Sequence, residues 1–260
     1  MDSKIASMLY ESMGTQQREA RRVPDSTRRA FLSRMRLDAV TARQGAQNME
    51  DAVSMVTTAQ TGVTAIKHML GEMRKLAVDA SNLVAPTQAQ YDAYTAQLRD
   101  YAKRLTETAE TTQFNGFRLL DGSAGLNNDG VFQLQAGDTS VREVLVNLLN
   151  PLAADVLDGE KTDLRKLETK FAMSGNADAL AALDLINKVF ERMEGVEARY
   201  STDIKSLDNL RVLLESRGDI FDNARTYHEE NAEQTQSPQN YLDLLMSTVR
   251  ANGNIFMGKG

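Results

Sequence analysis

Between Phe31 and Ala77 the apolar residues keep a helical rhythm. Phe31, Met35, Ala42, Ala46, Met49, Val53, Val56, Val63, Ile66, Leu70, Met73 and Ala77 are separated mostly by three, four or seven positions, the stripe that gives a helix one buried face. A strict seven-residue step joins Ala42, Met49, Val56, Val63, Leu70 and Ala77, as in a coiled-coil seam. Pro24-Asp25-Ser26 supplies a start, because Asp or Ser caps a first turn. A helix of about 50 residues is roughly 75 Å long. Such a helix needs other long helices along its length.

Asn82–Pro86 is a break, and a second helical stretch follows. Tyr91, Tyr94, Leu98, Tyr101 and Leu105 step by three and four, and the pattern stops before Asn115-Gly116. This is the second arm of an antiparallel helical hairpin. The period then shortens. Phe117–Leu120, the turn-rich DGSAGLNNDG at 121–130 and the alternating Val131–Gln135 predict one small β-hairpin at about 117–137. A lone hairpin is marginal in water, so it is expected to lie on the helices. In the ambiguous stretch 138–176, Val141–Leu149 and Lys161–Met173 suit short helices, the first halted by Pro151. Helical spacing returns with Ile186, Met193, Tyr200, Leu207 and Leu214, seven apart. The accompanying set, Leu183, Phe190, Glu197, Ile204 and Arg211, has polar interruptions. The helix is expected to reach Ser216 or Arg217 and to be disturbed at Gly218. Beyond the polar stretch 219–236, Tyr241, Leu242, Leu244, Leu245 and Val249 make an apolar tail. The fold class is mainly α: long antiparallel helices packed as a coiled-coil-like rod with one β-hairpin.

Composition agrees with this and removes several alternatives. Aromatic residues are 6% of the 260, there is no Trp, and there are four Pro, which suits long thin helices more than a thick core. With no Cys, a disulfide scaffold, a thiolate metal site and a Cys nucleophile are excluded. Two His cannot by themselves make a multi-histidine metal site. The net charge of −6 weighs against nucleic acid as a bulk partner. No apolar run is long enough to span a membrane, and the N-terminal residues lack the apolar core of a signal peptide.

The candidate chemistry is thin. Gly253 to Gly258-Lys259 has phosphate-loop spacing, but Gly260 stands where a metal-binding hydroxyl is needed and no helix follows. Arg18, Arg21, Arg22, Arg28, Arg29, Arg34, Arg36 and Arg43 form a basic stretch. With only Phe31 interleaved it lacks a base-stacking platform, and it reads as a solvated or subunit-facing helix side. The carboxylate pairs Glu229/Glu230 and Asp219/Asp222 have no concave site to face. His68 reads as a surface or seam residue, and the methionines as core filler. No catalytic residue, metal site or cofactor is expected.

Several motifs carry more than spacing. Asn48–Gly62 contains an Asp, an apolar–Ser pair and an Ala-x-Thr-Gly stretch. Met69–Asn82 carries Leu76-Ala77-Val78. Thr112-Gln113-Phe114-Asn115-Gly116 precedes Leu119-Leu120-Asp121-Gly122 and Phe132–Gly137. Later come Ile186-Asn187-Lys188-Val189, Glu197–Tyr200 and Asp208-Asn209-Leu210. In this order they resemble the bacterial flagellins, over about 48–137 and 183–216. The T-Q-F-N-G block within this helix order is the specific part.

The resemblance implies a structural subunit of an extracellular filament, exported without a cleaved signal peptide. It implies an inner layer from 1–36 with 218–260, which polymerises, and a helical spoke domain over 37–217. Phe31, Met35, Tyr241, Leu244, Leu245 and Val249 are the expected self-assembly residues. The partners implied are further copies of the chain, an export chaperone, a filament cap and hook-junction proteins, with no nucleic acid and no membrane. Flagellins sensed by the animal innate-immune receptor share a spoke-helix arginine and a neighbouring glutamate. Aligned on Leu76-Ala77-Val78 and on the F-N-G block, those positions hold Glu72 and Gln97, which implies weak or absent recognition. The Arg-rich 20–36 and the closing NIFMGKG depart from the family. They keep open a hook–filament junction protein or a specialised type III apparatus filament protein. A cytoplasmic coiled-coil adaptor shares the stripes but has no reason to carry the hairpin block.

Overall fold

The structure, a computed structural model, describes residues 25–123, 125, 130–137, 143–148, 155–156, 161–162 and 164–230. Two very long helices dominate it: α1 (Asp25–Ser81) and, at the other end of the described chain, α4 (Asn176–Glu230). Between them come α2 (Gln88–Thr111), six short strands, and a 3-10 turn (Leu164–Lys166) running into the one-turn α3 (Leu167–Lys170).

Periodicity explains why these stretches are helical. On α1, Met49, Val56, Val63, Leu70 and Ala77 alternate with Ala52, Ala59, Ile66, Met73 and Ala80 at steps of three and four, and all are buried. On α2 the buried positions Tyr91, Thr95, Leu98, Ala102, Leu105 and Ala109 keep the same rhythm. At its start, Thr87 N–H donates to Gln90 Oε1 at 2.8 Å, a capping-box contact. On α4 one seven-residue row runs Ala179, Ile186, Met193, Tyr200, Leu207, Leu214, Phe221, His228, buried throughout.

That row overturns two expectations. The helix does not falter at Gly218, because Phe221 and His228 continue the seam beyond Leu214. Gly218 is buried, and a Cβ there would lie 3.0 Å from Arg43 Cγ and 3.5 Å from the Ala39 carbonyl oxygen. It is a place of close helix approach, not a stop. The second α4 row is also one residue off: Ala182, Val189 and Val196 are buried, whereas Leu183, Phe190, Glu197, Ile204 and Arg211 are only partly so. Small and β-branched residues let the neighbouring helix come close, and the larger ones flank the seam.

The described residues divide into two compact units, one with 25–46, 137 and 212–230, the other with those within 47–136 and 141–211. This division lies deeper along both long helices than the expected split at 36/37 and 217/218. In the second unit α1 and α4 are antiparallel. Gln60 Nε2 donates to Ser201 Oγ at 2.7 Å, and Lys67 Nζ lies 2.7 Å from Glu197 Oε2. Glu197, an interruption in the sequence pattern, is answered across the seam. Its carboxylate also accepts from Thr64 Oγ1 at 2.9 Å, and the Lys67 hydrogen bond holds it below the usual glutamate range. Arg211 turns back to Asp208 on its own helix, Nη2 to Oδ1 at 2.8 Å. In the first unit the order is again antiparallel, with Arg43 on Asp219 and Asp222 and Phe31 on His228.

The single hairpin expected at about 117–137 is replaced by separate antiparallel pairs. β1 (Gln113–Phe114) pairs with β2 (Phe117–Arg118), Phe114 opposite Phe117. β3 (Val131–Gln135) pairs forward with β4 (Glu143–Asn147), Phe132 opposite Val146 and Leu134 opposite Val144. β5 (Asp155–Val156) pairs with β6 (Lys161–Thr162). The short helix expected over 141–149 is therefore strand β4, with Val146 buried and Leu145 exposed as strand alternation requires. The helix expected over 161–173 is reduced to the 3-10 turn and α3.

Candidate functional site

The T-Q-F-N-G block is built from backbone geometry. Asn115 and Gly116 both have positive φ, 49° and 83°. They are the two central residues between paired Phe114 and Phe117, the requirement of a type I′ turn, which Asn-Gly meets best. Thr112 ends α2: its N–H and its Oγ1 both donate to the Thr108 carbonyl, at 3.1 and 2.7 Å. The Thr112 carbonyl accepts from Leu119 N–H at 3.0 Å. The turn thus folds the chain straight back, and Leu119 and Leu120 enter the core.

What receives them is Gly62. A Cβ at that position would lie 2.6 Å from Thr112 Oγ1, 2.7 Å from Leu120 Cδ1 and 2.9 Å from Thr112 Cγ2. The glycine ending the 48–62 motif and the T-Q-F-N-G block are therefore halves of one contact, α1 giving up a side chain so that the turn can seat. The β3 strand is tied to the same helix by Asn48 Nδ2 donating to the Gln135 carbonyl at 2.9 Å. Asp121 closes the turn, accepting from Ser123 N–H and Oγ at 2.9 and 2.6 Å.

The other predicted positions fall as follows. Glu72 is half-buried and bonded to Lys75 Nζ at 2.7 Å, and that bond holds its carboxyl below the usual range. Gln97 is exposed on α2, where its Nε2 reaches the Ala93 carbonyl at 3.4 Å. Met35 is buried within the chain, and half-buried Phe31 meets the His228 ring edge-on at 5.1 Å. Tyr241, Leu244, Leu245 and Val249 lie outside the described residues, as does the phosphate-loop spacing at 253–259. An open groove of about 430 Å³ beside α2 is lined by Gln88, Asp92, Thr95 and Arg99 with Met173 and Ser174. Its polar groups hold backbone: Arg99 Nε donates to the Phe171 carbonyl at 2.8 Å, and Thr95 Oγ1 accepts from Met173 N–H at 3.2 Å.

His228 is the group that sequence reasoning missed. Its signal was its place seven residues after Phe221. It is 1% exposed, and burial first, then the charge of Arg28, pushes its pKa down. The folded chain thus binds this proton less readily than the unfolded chain, whose imidazole titrates near 6.5. Stability from this residue is full above that pH and falls as pH drops through it, by at most about 1.4 kcal/mol per pH unit. Thermal melts at about pH 7.5 and pH 5.5 are expected to show a drop that His228→Phe reduces.

Comparison with known proteins bears on the whole arrangement. The family model of the bacterial flagellin N-terminal helical region matches residues 25–125, covering α1, α2 and the turn block. The match begins well before Asn48 and takes in part of the Arg-rich segment. The flagellin of Halalkalibacterium halodurans is 28% identical over 206 residues, 74% of this chain and 68% of that protein. The flagellin of Bacillus subtilis is 26% identical, with 85% of this chain and 86% of that protein covered.

The chain is similar to the bacterial flagellins.

Solved structures agree at the level of fold. Bacillus cereus flagellin superposes with a TM-score of 0.50 at 21% identity, over 64% of this chain and 87% of that one. A structure described as a flagellar hook-associated protein from Vibrio parahaemolyticus gives 0.61 at 13% identity, over 75% and 94%. The matched stretch 25–125 contains both Gly62 and the turn block seated on it. No helix among the described residues is long and apolar enough to cross a membrane.

Proposed function

We infer that this chain is a structural subunit of a bacterial flagellar filament, outside the cell, and that it assembles as a homopolymer through its two terminal segments. The observation that carries the reading is the T-Q-F-N-G turn seated against Gly62 inside antiparallel helices, in a chain whose residues 25–125 match the flagellin N-terminal region. The junction-protein, specialised-apparatus and adaptor readings are not favoured, since the matched relatives are flagellins.

The finer assignment places the polymerising layer in 1–36 and 218–260, with Tyr241, Leu244, Leu245 and Val249 as its apolar contribution. Burial of apolar area, worth roughly 25 cal/mol per Å², supplies the driving force. An export chaperone, a filament cap and hook-junction proteins are the further partners. In sedimentation the full chain is expected to pellet as polymer, whereas a chain ending at Gln236 stays monomeric. Equal pelleting would remove the terminal segment from the assembly device.

Recognition by the animal innate-immune receptor is expected to be weak. Glu72 offers no hydrogen-bond donor where an arginine would present a fork of them, and Lys75 already engages it. Glu72→Arg combined with Gln97→Glu should recover part of the response in reporter cells. An unmodified chain as potent as a standard flagellin would contradict this.

A further inference from the structure

The unit containing 25–46 and 212–230 sorts its surface charge by helix. On α1, the exposed charged residues from position 26 to 46 are Arg29, Arg34, Arg36 and Arg43, with no acid among them. On α4, those from 212 to 230 are Glu215, Asp219, Glu229 and Glu230, with no base among them. Some of this charge is used inside the chain. Arg43 holds Asp219 and Asp222, Arg34 holds Asp38, and Glu229 lies 3.3 Å from Arg225. Arg29, Arg36 and Glu230 make no ion pair among the described residues.

Each face also leaves apolar area in water. Leu37 and Val40, one turn apart beside Arg36, are 56% and 57% exposed, while on α4 Val212 and Tyr227 are each 50% exposed. Met35 and Phe31 point the other way, to the buried side of α1. What α1 offers to a neighbour is therefore the Leu37–Val40 face with its arginines.

We propose that these two faces are the halves of a joint between copies of this chain, the Arg29/Arg36/Leu37/Val40 face of one copy docking on the acidic Val212/Tyr227 face of the next. The proposal rests on the filament reading and names the contact that the reading leaves open. One sign on each helix selects the partner. Pairing of like faces would set arginine on arginine or acid on acid, which repel. A nucleic acid or an anionic lipid surface would suit α1 but be repelled by the acids of the same unit. A second copy carries both halves, and joined head to tail, as a filament subunit is, the two faces make a heterologous contact that propagates into an open polymer. The exposed ionic component is screened by salt.

The test uses the purified full chain and follows elongation by light scattering, with electron microscopy of the product. Wild-type elongation should slow as NaCl is raised from about 0.05 to about 0.5 M. R29E/R36E and, separately, E215K/E230K should each elongate about tenfold or more slowly alone. An equimolar mixture of the two should recover elongation, because each then meets its complement. Unchanged helical circular dichroism and melting confirm that the variants fold. Wild-type elongation with both variants unaffected overturns the joint and leaves the filament reading standing. Slow variants that mixing does not rescue also overturn it, since the two faces then act without meeting each other. A wild-type chain that forms no polymer overturns the filament reading and the joint together.

Discussion

Replacing Leu70 by Ala is expected to lower unfolding stability by about 2–5 kcal/mol. Leu70 is fully buried on α1, in the seven-residue row with Val63 and Ala77 and one turn from Ile66 and Met73, all without measurable exposure. Removing its isobutyl group forfeits the transfer energy and leaves a cavity around which the structure relaxes only in part. Glu72→Ala, two residues further on, is the control. Its ion pair with Lys75 is solvated, and such surface pairs contribute little to stability. Urea or thermal unfolding of the two variants should separate them clearly. Equal losses would mean that the seam assignment on α1 is wrong.

The second large effect concerns Gly62. Gly62→Leu is expected to cost about 1–3 kcal/mol, because even the first carbon of the new side chain would stand 2.6 Å from Thr112 Oγ1 and 2.7 Å from Leu120 Cδ1. Leu120 can move the end of its side chain. Thr112 cannot move as freely, since its hydroxyl is bonded to the Thr108 carbonyl at the end of α2. The strain falls on the turn block and should loosen the β1–β2 pair. Gly71→Ala, nine residues along the same helix, meets nothing within 4 Å. It should stabilise by up to about 1 kcal/mol through helix propensity alone. Paired thermal melts check the opposite signs. If both substitutions shift the melt in the same direction, the turn block is not seated on Gly62.

The helical part of this fold was legible because its signal is long and repeated. Ala42 to Ala77 and Ile186 to Leu214 each hold one face through several turns, and every member of those rows is buried. The reading failed where a local signal competed with a repeated one. Gly218 looked like a stop, yet Phe221 and His228 keep the register across it, and the glycine serves close packing. Leu183 and Phe190 outranked Ala182 and Val189 by hydrophobicity, but proximity of the helices favours the smaller residues at the seam. Glu143–Asn147 is a short run whose length does not separate helix from strand; Val144 and Val146 were its β-branched clue. The pairing of β3 forward with β4 depends on contacts that no spacing of single residues specifies.

The candidate site divides in the same way. Asn115-Gly116 announced a tight turn by residue type alone. That Thr112 and Leu120 would close on Gly62, about fifty residues away in sequence, follows only from how α1 and α2 pack. The charge sorting of the 25–46 and 212–230 unit was half visible as an arginine-rich stretch. Its acidic counterpart appeared as ordinary carboxylate pairs until both helices were placed and their exposed faces compared.

Electron microscopy of the purified full chain, incubated at high concentration and low salt, tests the central claim most directly. The account predicts long helical filaments of uniform diameter built from this protein alone. A preparation that stays as discrete monomers or small closed oligomers, with its helices intact by circular dichroism, would contradict it.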